Sequence, residues 1–456
     1  MTLRLRVPRS HAPERAWVWG ILLGDRLGQA YHLEAWDHDF TRLEGPGPGA
    51  IDLPEGLFGL PEGGLRTEAA LPDAPPRLWR VGGTALGEAL GCDVLPVPYG
   101  EAGWEETGGG FRLRMDVPGS CFFLLSRLEE VIRSERDAFG RFPSAAHWAV
   151  RAGLEQRPLV EEWTAVLEHL MRRLWPGLPV PERRYAIRPT HDIDWPTSTL
   201  GLPLRRVLTI LAKDLLWRHQ PGLFARRLGA ALFRYPTWDP FRSHAWLMAE
   251  SERRGLRSTF YFMACPRPGP LDGPYTMDEP WAQAMVREVE ARQHEVGLHP
   301  SLETRERPDL LRVECERLGG LLGRPLAGAR QHYLKWSPRT WSAYEAAGLA
   351  HDASVGFNDR MGFRCGTGRD YPAFCLEQRR ELALQVRPLH FMDTSYYATE
   401  KELPKVRASF PELAAMAGRV RRHGGTLNLL WHNNFLNGRH ERAAYLEALA
   451  AVGAPC

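Results

Sequence analysis

The sequence predicts an α/β protein, on two observations. From His244 onward, short apolar or β-branched runs alternate with segments of helical periodicity, the pattern of a parallel sheet with helices outside it. The chain is also 456 residues long, too long for one ordinary core, so more than one domain is expected. Six or seven such strand–helix units are long enough to close into a barrel.

Taken in order, residues 1–180 read as a separate α/β domain. Within it Ala16–Gly24 is expected to be a buried strand, and glycine and proline mark loops at 45–77 and 98–110. Cys121–Glu130 turns helical, with Glu129 and Glu130 on its polar side. Pro158–Trp175 places Leu159, Trp163, Val166, Leu167, Leu170 and Leu174 at helical spacing, and Pro176–Glu182 reads as a linker. Residues 184–456 form the second region, with an insertion around 200–242. In that insertion Leu202–Arg234 carries apolar and basic residues at helical spacing. This suits either a membrane-surface helix or a segment packed on the main domain. Asp214 and the Pro221–Gly222 break favour packing. Strands are expected at Tyr185–Ile187, Ser258–Ala264, Glu295–Leu298, Ala327–Lys335, His351–Ser354, Ala383–Phe391 and Thr426–Trp431. Helices are expected at His244–Arg254, Trp281–Arg292, Arg307–Leu318, Pro338–Ala347, Phe410–Arg422 and Glu441–Ala451.

Net charge is +3, with 58 basic and 55 acidic residues interspersed, which argues against a nucleic-acid footprint. The seven cysteines are scattered without a CxxC pair, so neither a disulfide framework nor a cysteine zinc site is expected. A reducing compartment fits this usage. Ala16–Gly24 is too short to span a membrane, and the expectation is a cytoplasmic protein without an integral membrane segment.

The chemistry is expected at the strand ends. Thr190–Pro196 (THDIDWP) puts three ionisable groups at the end of a short apolar strand. Alternate residues of an extended chain share a face, so Asp192 and Asp194 project together and His191 lies opposite. Neighbouring carboxylates repel unless a cation, a shared proton or solvent separates them. Later strand ends offer His299, Arg330 and His332, Asp352, Asp393, and His432 with Asn434. Each alone is weak, but a whole set on one rim points to a site. Carboxylates with imidazoles suit zinc or a similar divalent ion. His294 is expected at the surface.

Thr190–Asp194, His294–Ser301 (HEVGLHPS), Arg330 and Leu429–Asn433 (LLWHN) resemble, in order, the motifs of the polysaccharide deacetylase (NodB-homology, carbohydrate esterase 4-like) family over roughly residues 184–436. His351–Phe357 and Gly362–Gly366 are similar to a divergent branch with a THDxD motif and an extra N-terminal domain. The resemblance implies a distorted (β/α)-barrel that hydrolyses N-acetyl groups on a carbohydrate substrate. It implies Asp192 as base, Arg330 as the group orienting it, His432 as the acid that protonates the leaving amine, and Asp194 and His299 as metal ligands. Glu303 stands where the family carries a second histidine, so either Glu303, His332 or His191 completes the set or the metal is bound weakly. The expected ligands are Asp194, His299 and His332, around a divalent metal, zinc by preference. Two other readings stand beside this one: a metal-dependent glycoside hydrolase, because His191-x-x-Asp194 resembles sugar-binding metal sites, and a degenerate barrel that binds glycan or scaffolds. Arg364 is a candidate contact for an anion or a sugar hydroxyl.

Overall fold

The computed structural model describes residues 2–179, 182–233 and 238–454. Val180 and Pro181 of the expected linker, residues 234–237 of the expected insertion, and Cys456 lie outside them. The chain divides into two compact units. One comprises 1–185, 363–385 and 419–425; the other comprises 186–362, 386–418 and 426–456.

The first unit is built on a six-stranded sheet. Its order is Ala30–Trp36, Thr2–Pro8, Phe40–Glu44, Ala50–Pro54, Gly110–Met115 and Gly100–Thr107. Thr2–Pro8 alternates strictly, burying Leu3, Leu5 and Val7, as a strand with one covered face must. The amphipathic helix Leu159–Leu174 forms where its periodicity predicts. Ala16–Gly24 is not a strand. It lies in a helix, Ala12–Trp19, that continues as a wider turn through Gly20–Arg26. Trp17, Val18, Trp19, Ile21, Leu22 and Leu23 are all buried, and a run apolar on every side carries no period to separate helix from strand.

Arg364 corrects another expectation. It is buried, and donates from Nε and Nη2 to Glu130 Oε1 and Oε2 at 2.9 and 2.8 Å. Arg127 contacts the same carboxylate. Burial pushes Glu130 up, but Arg364 and Arg127 outweigh it and hold the carboxyl below its usual range. Arg364 is therefore an internal ion-pair partner, and Glu129 and Glu130 are interior rather than on a polar helix face.

The strands that matter for chemistry come later in the chain, among β1 (Tyr185–Ile193), β2 (Thr259–Phe262), β3 (Glu295–Leu298), β4 (Gly328–Ala329), β5 (His351–Asp352), β6 (Tyr371–Cys375), β7 (Arg380–Val386), β8 (Phe391–Met392) and β9 (Gly425–Leu430). They make one nine-stranded sheet in the order β6-β7-β5-β4-β3-β2-β1-β9-β8, against about seven strands expected. The single strand expected at Ala383–Phe391 is two, β7 and β8, and β6 is additional. β1–β2, β2–β3, β3–β4, β4–β5 and β8–β9 pair in parallel, so their carboxyl ends share one edge. Helices α1 (Leu204–Ala212), α2 (Pro221–Phe233), α3 (His244–Arg253), α4 (Pro280–Ala291), α5 (Pro308–Leu322), α6 (Thr340–Ala346), α7 (Leu403–Ala408), α8 (Phe410–His423) and α9 (Arg439–Ala451) complete the alternation. α5 runs through Gly319–Gly320 and stops at Gly323, whose φ of 66° supplies the left-handed cap.

Candidate metal and hydrolase site

β1 carries the chemistry to the carboxyl edge. Thr190 Oγ1 donates to the Leu429 carbonyl at 2.8 Å, and Trp431 N donates to the Thr190 carbonyl at 3.0 Å, fastening β1 to β9. His191, on the opposite face from Asp192, packs on the Phe260 ring at 4.8 Å and lies 2.8 Å from the Trp431 carbonyl through Nδ1. Burial pushes its pKa down to about 3, so the ring is neutral and donates there. His191 is a core histidine and is not among the grouped metal donors.

Asp192 is buried, and its Oδ1 accepts from Arg330 Nη1 at 2.8 Å. Arg330 is in turn held by Nε donating to the Ala353 carbonyl at 3.0 Å, with its guanidinium 4.5 Å over the Tyr261 ring. The β1–β2 register sets Tyr261 beside Asp192, so one aromatic ring seats the cation that grips the carboxylate. Asp192 Oδ2 remains on the site side, 3.8 Å from His299 Nε2.

Asp194 follows the end of β1. Gly273 sits so near it that a Cβ there would lie 2.2 Å from the Asp194 carbonyl oxygen, so only glycine lets this loop close. The same loop provides the Leu271 carbonyl, which His332 Nε2 reaches at 3.0 Å. His332 comes back towards the rim on a sharp turn in which Tyr333 and Leu334 take φ of 59° and 50°, a conformation costly for side chains with a Cβ. His299 Nδ1 lies 2.6 Å from the Arg330 carbonyl.

Those two carbonyls settle the tautomers of the neutral rings, since an N–H must face each of them. In the neutral form His299 Nε2 and His332 Nδ1 turn lone pairs inward, 2.9 Å from each other. In the metal-free chain burial opposes charge on His299, but Asp192 and Asp194 outweigh it and raise its pKa, which favours a proton facing Asp194. Asp194 Oδ1 joins them at 3.1 and 3.7 Å, yet accepts no aligned hydrogen bond. Three acceptors pointed at one another repel unless a proton or a metal ion lies among them. Asp194, His299 and His332 group as possible metal ligands, with donor atoms all within 4.8 Å. Burial opposes ionisation of Asp194, but His332, His299 and His432 more than offset it and hold the carboxyl low. Two imidazoles and one carboxylate are a donor set that fits zinc with a coordination position left for water.

Glu303 is exposed on the turn Leu302–Arg305 and is outside the group. Asp352 is buried away from it, accepting from Trp341 Nε1 at 2.8 Å and Ser354 N at 2.8 Å. Asn434 is half-buried on the turn after β9. His294, expected at the surface, is buried, accepting from Ser258 N at 3.0 Å and meeting Glu252 at 3.2 Å.

His432 follows β9, with Nε2 3.9 Å from Asp194 Oδ2. Its Nδ1 meets Asp393 Oδ1 at 2.7 Å, and its backbone N donates to Asp393 Oδ2 at 2.9 Å. Burial disfavours the imidazolium, but Asp393, Asp194 and Asp192 override it and raise the pKa to about 9. Asp393 was visible in the sequence as a strand-end acid. Its pairing follows from β8 lying beside β9, an adjacency no local pattern encodes.

A family described as "Family of unknown function (DUF7033)" matches residues 72–176. No curated protein matches the chain. Similar solved structures include a protein assigned as a polysaccharide deacetylase from Mycobacterium smegmatis, at 16% identity and a TM-score of 0.39, covering 60% of this chain and 85% of that one. PuuE allantoinase follows at 13% identity and 0.38, covering 60% and 85%. A probable polysaccharide deacetylase from Pseudomonas aeruginosa PAO1 stands at 14% and 0.37, covering 60% and 84%.

Proposed function

We propose that the chain is a metal-dependent hydrolase that removes an N-acetyl or similar acyl group from an amino-sugar or polysaccharide. The observation that carries this reading is the convergence of Asp194, His299 and His332 between a base held by arginine, Asp192, and a histidine held by a carboxylate, His432. The reading also rests on the order of the motifs. It takes residues 1–180 as a separate domain and 184–456 as the distorted barrel.

Asp194, His299 and His332 would hold the ion, zinc by donor type. A bound divalent cation would supply a Lewis acid that acidifies water and polarises a carbonyl. Asp192 has one oxygen pinned by Arg330, leaving Oδ2 to accept a proton from the attacking water. Attack at the amide carbon produces a tetrahedral centre, and collapse of that centre needs the nitrogen protonated. His432 is suited to this step: Asp393 holds Nδ1–H and stabilises the charged ring, leaving Nε2–H directed into the site. After transfer the products are a carboxylic acid and a free amine.

The experiment is acetate release from N-acetylated oligosaccharides by wild type and Asp192→Asn, with metal content measured in both. Loss of a general base lowers the rate by about 10²–10⁴-fold, with metal retained. Near wild-type acetate release by the variant would show the assignment to be wrong.

A further inference from the structure

The insertion that follows Asp194 folds as a helical hairpin. α1 continues through Lys213–Trp217 and turns at Arg218–Gln220 into α2. Six large apolar side chains on it, Leu204, Leu208, Leu216, Trp217, Leu232 and Phe233, are between 57% and 74% exposed. Leu204 and Leu208 stand one helical turn apart, beside the inward-facing Val207 and Leu211. Six such side chains within one helical hairpin are more open apolar surface than single scattered exposure leaves.

Charge says what it docks on. The sole acid of residues 204–233 is Asp214, which is buried and accepts from Arg227 Nη1 at 2.8 Å and Arg218 Nη1 at 2.5 Å. Every exposed ionisable group of the hairpin is basic or a histidine: Arg205, Arg206, Lys213, Arg218 and His219. The two features that argued in the sequence against a membrane-surface element therefore have structural roles. Asp214 cross-braces the two helices, and Pro221–Gly222 begins the second arm. The hairpin is also anchored at its far side, where Arg226 Nη1 donates to the Asn437 carbonyl at 3.2 Å. No helix among the described residues is long and apolar enough to cross a bilayer, so the hairpin would lie on one.

We propose that the 204–233 hairpin seats on an anionic lipid surface, with its leucines and aromatic rings at the acyl boundary and its arginines and lysine among the headgroups. Arg206 lies 5.4 Å over the ring of Trp195, the residue next in the chain to Asp194. The proposal does not depend on the amide-hydrolase reading, and its test needs no activity.

The test is flotation of the full chain with phosphatidylcholine vesicles, with and without about 30% phosphatidylglycerol. Wild type is expected to float with the anionic vesicles only, and less as salt rises from about 0.05 to 0.5 M. Leu216→Ser with Trp217→Ser should abolish flotation. Arg205→Gln with Lys213→Gln should weaken binding about fivefold per charge removed. All four side chains are exposed, and circular dichroism checks that the variants fold. Failure of wild type to float, or undiminished flotation of both double variants, overturns the proposal. So does a wild-type dimer that Trp217→Ser makes monomeric without any vesicle binding, which would assign the face to a second copy of the chain.

Discussion

Replacing Asp393 with asparagine should move the ionisation of His432 by an amount the structure sets. Asp393 is fully buried and spends its oxygens on His432 Nδ1 at 2.7 Å, His432 N at 2.9 Å and Thr394 N at 2.8 Å. Asparagine keeps the shape but removes the charge and turns one acceptor into a donor. Burial alone would depress the His432 pKa, and the carboxylates raise it to about 9. Against an ordinary histidine value of about 6.5, that difference is worth about 3 kcal/mol in favour of the charged ring. Because the folded pKa lies above the unfolded one, this stability is fully present below about pH 6.5 and is lost as pH rises through about 9. Histidine ring NMR titration of the metal-free protein, with His432→Gln identifying the resonance, reads the effect. In Asp393→Asn the His432 midpoint should fall by about 1–3 pH units. If the proposed hydrolysis holds, the basic limb of kcat/KM in the metal-loaded protein should follow. A midpoint within half a unit of wild type would refute the claim that this carboxylate keeps His432 charged.

Three further outcomes are expected. Arg330→Met should destabilise the fold by about 3–5 kcal/mol in urea, because it strands a buried Asp192 carboxylate; a loss under about 1 kcal/mol would show that the pair is not desolvated as described. Glu130→Gln should cost a similar ~3–5 kcal/mol by leaving Arg127 and Arg364 buried without their carboxylate, while metal content stays unchanged. Glu303→Ala, at an exposed position outside the ligand group, should leave metal affinity and stability as they are, read by metal titration and thermal melting.

Some of this was legible in the sequence because the relevant physics is local. Period-two alternation placed Asp192 and Asp194, the latter just past the end of β1, on one side and His191 on the other. Strand–helix alternation from His244 located six of the helices and most of the strands, but not β6 or α7, and it overran β4, which is two residues where Ala327–Lys335 was expected. Other features were not legible because they depend on distant neighbours. Arg364, set among glycines, reads as a loop arginine until Glu130, 234 positions away, is found against it. His294 reads as a surface residue until Ser258 and Glu252 enclose it. The third ligand was open among Glu303, His332 and His191. Of the three, His332 alone groups with Asp194 and His299, brought there by the left-handed turn at Tyr333–Leu334 and the Leu271 carbonyl, neither of which a local pattern encodes. Ala16–Gly24 reads as a strand in sequence and folds as a helix because it is covered on every side and shows no period.

The central claim is that Asp194, His299 and His332 hold one divalent ion. Elemental analysis of the full chain after zinc loading and exhaustive dialysis tests it directly, alongside His299→Ala and His332→Ala. About one ion per chain in wild type and a loss of at least ~10-fold in affinity in each variant is the predicted result. Wild type without bound metal, or variants that keep the full equivalent, would contradict it.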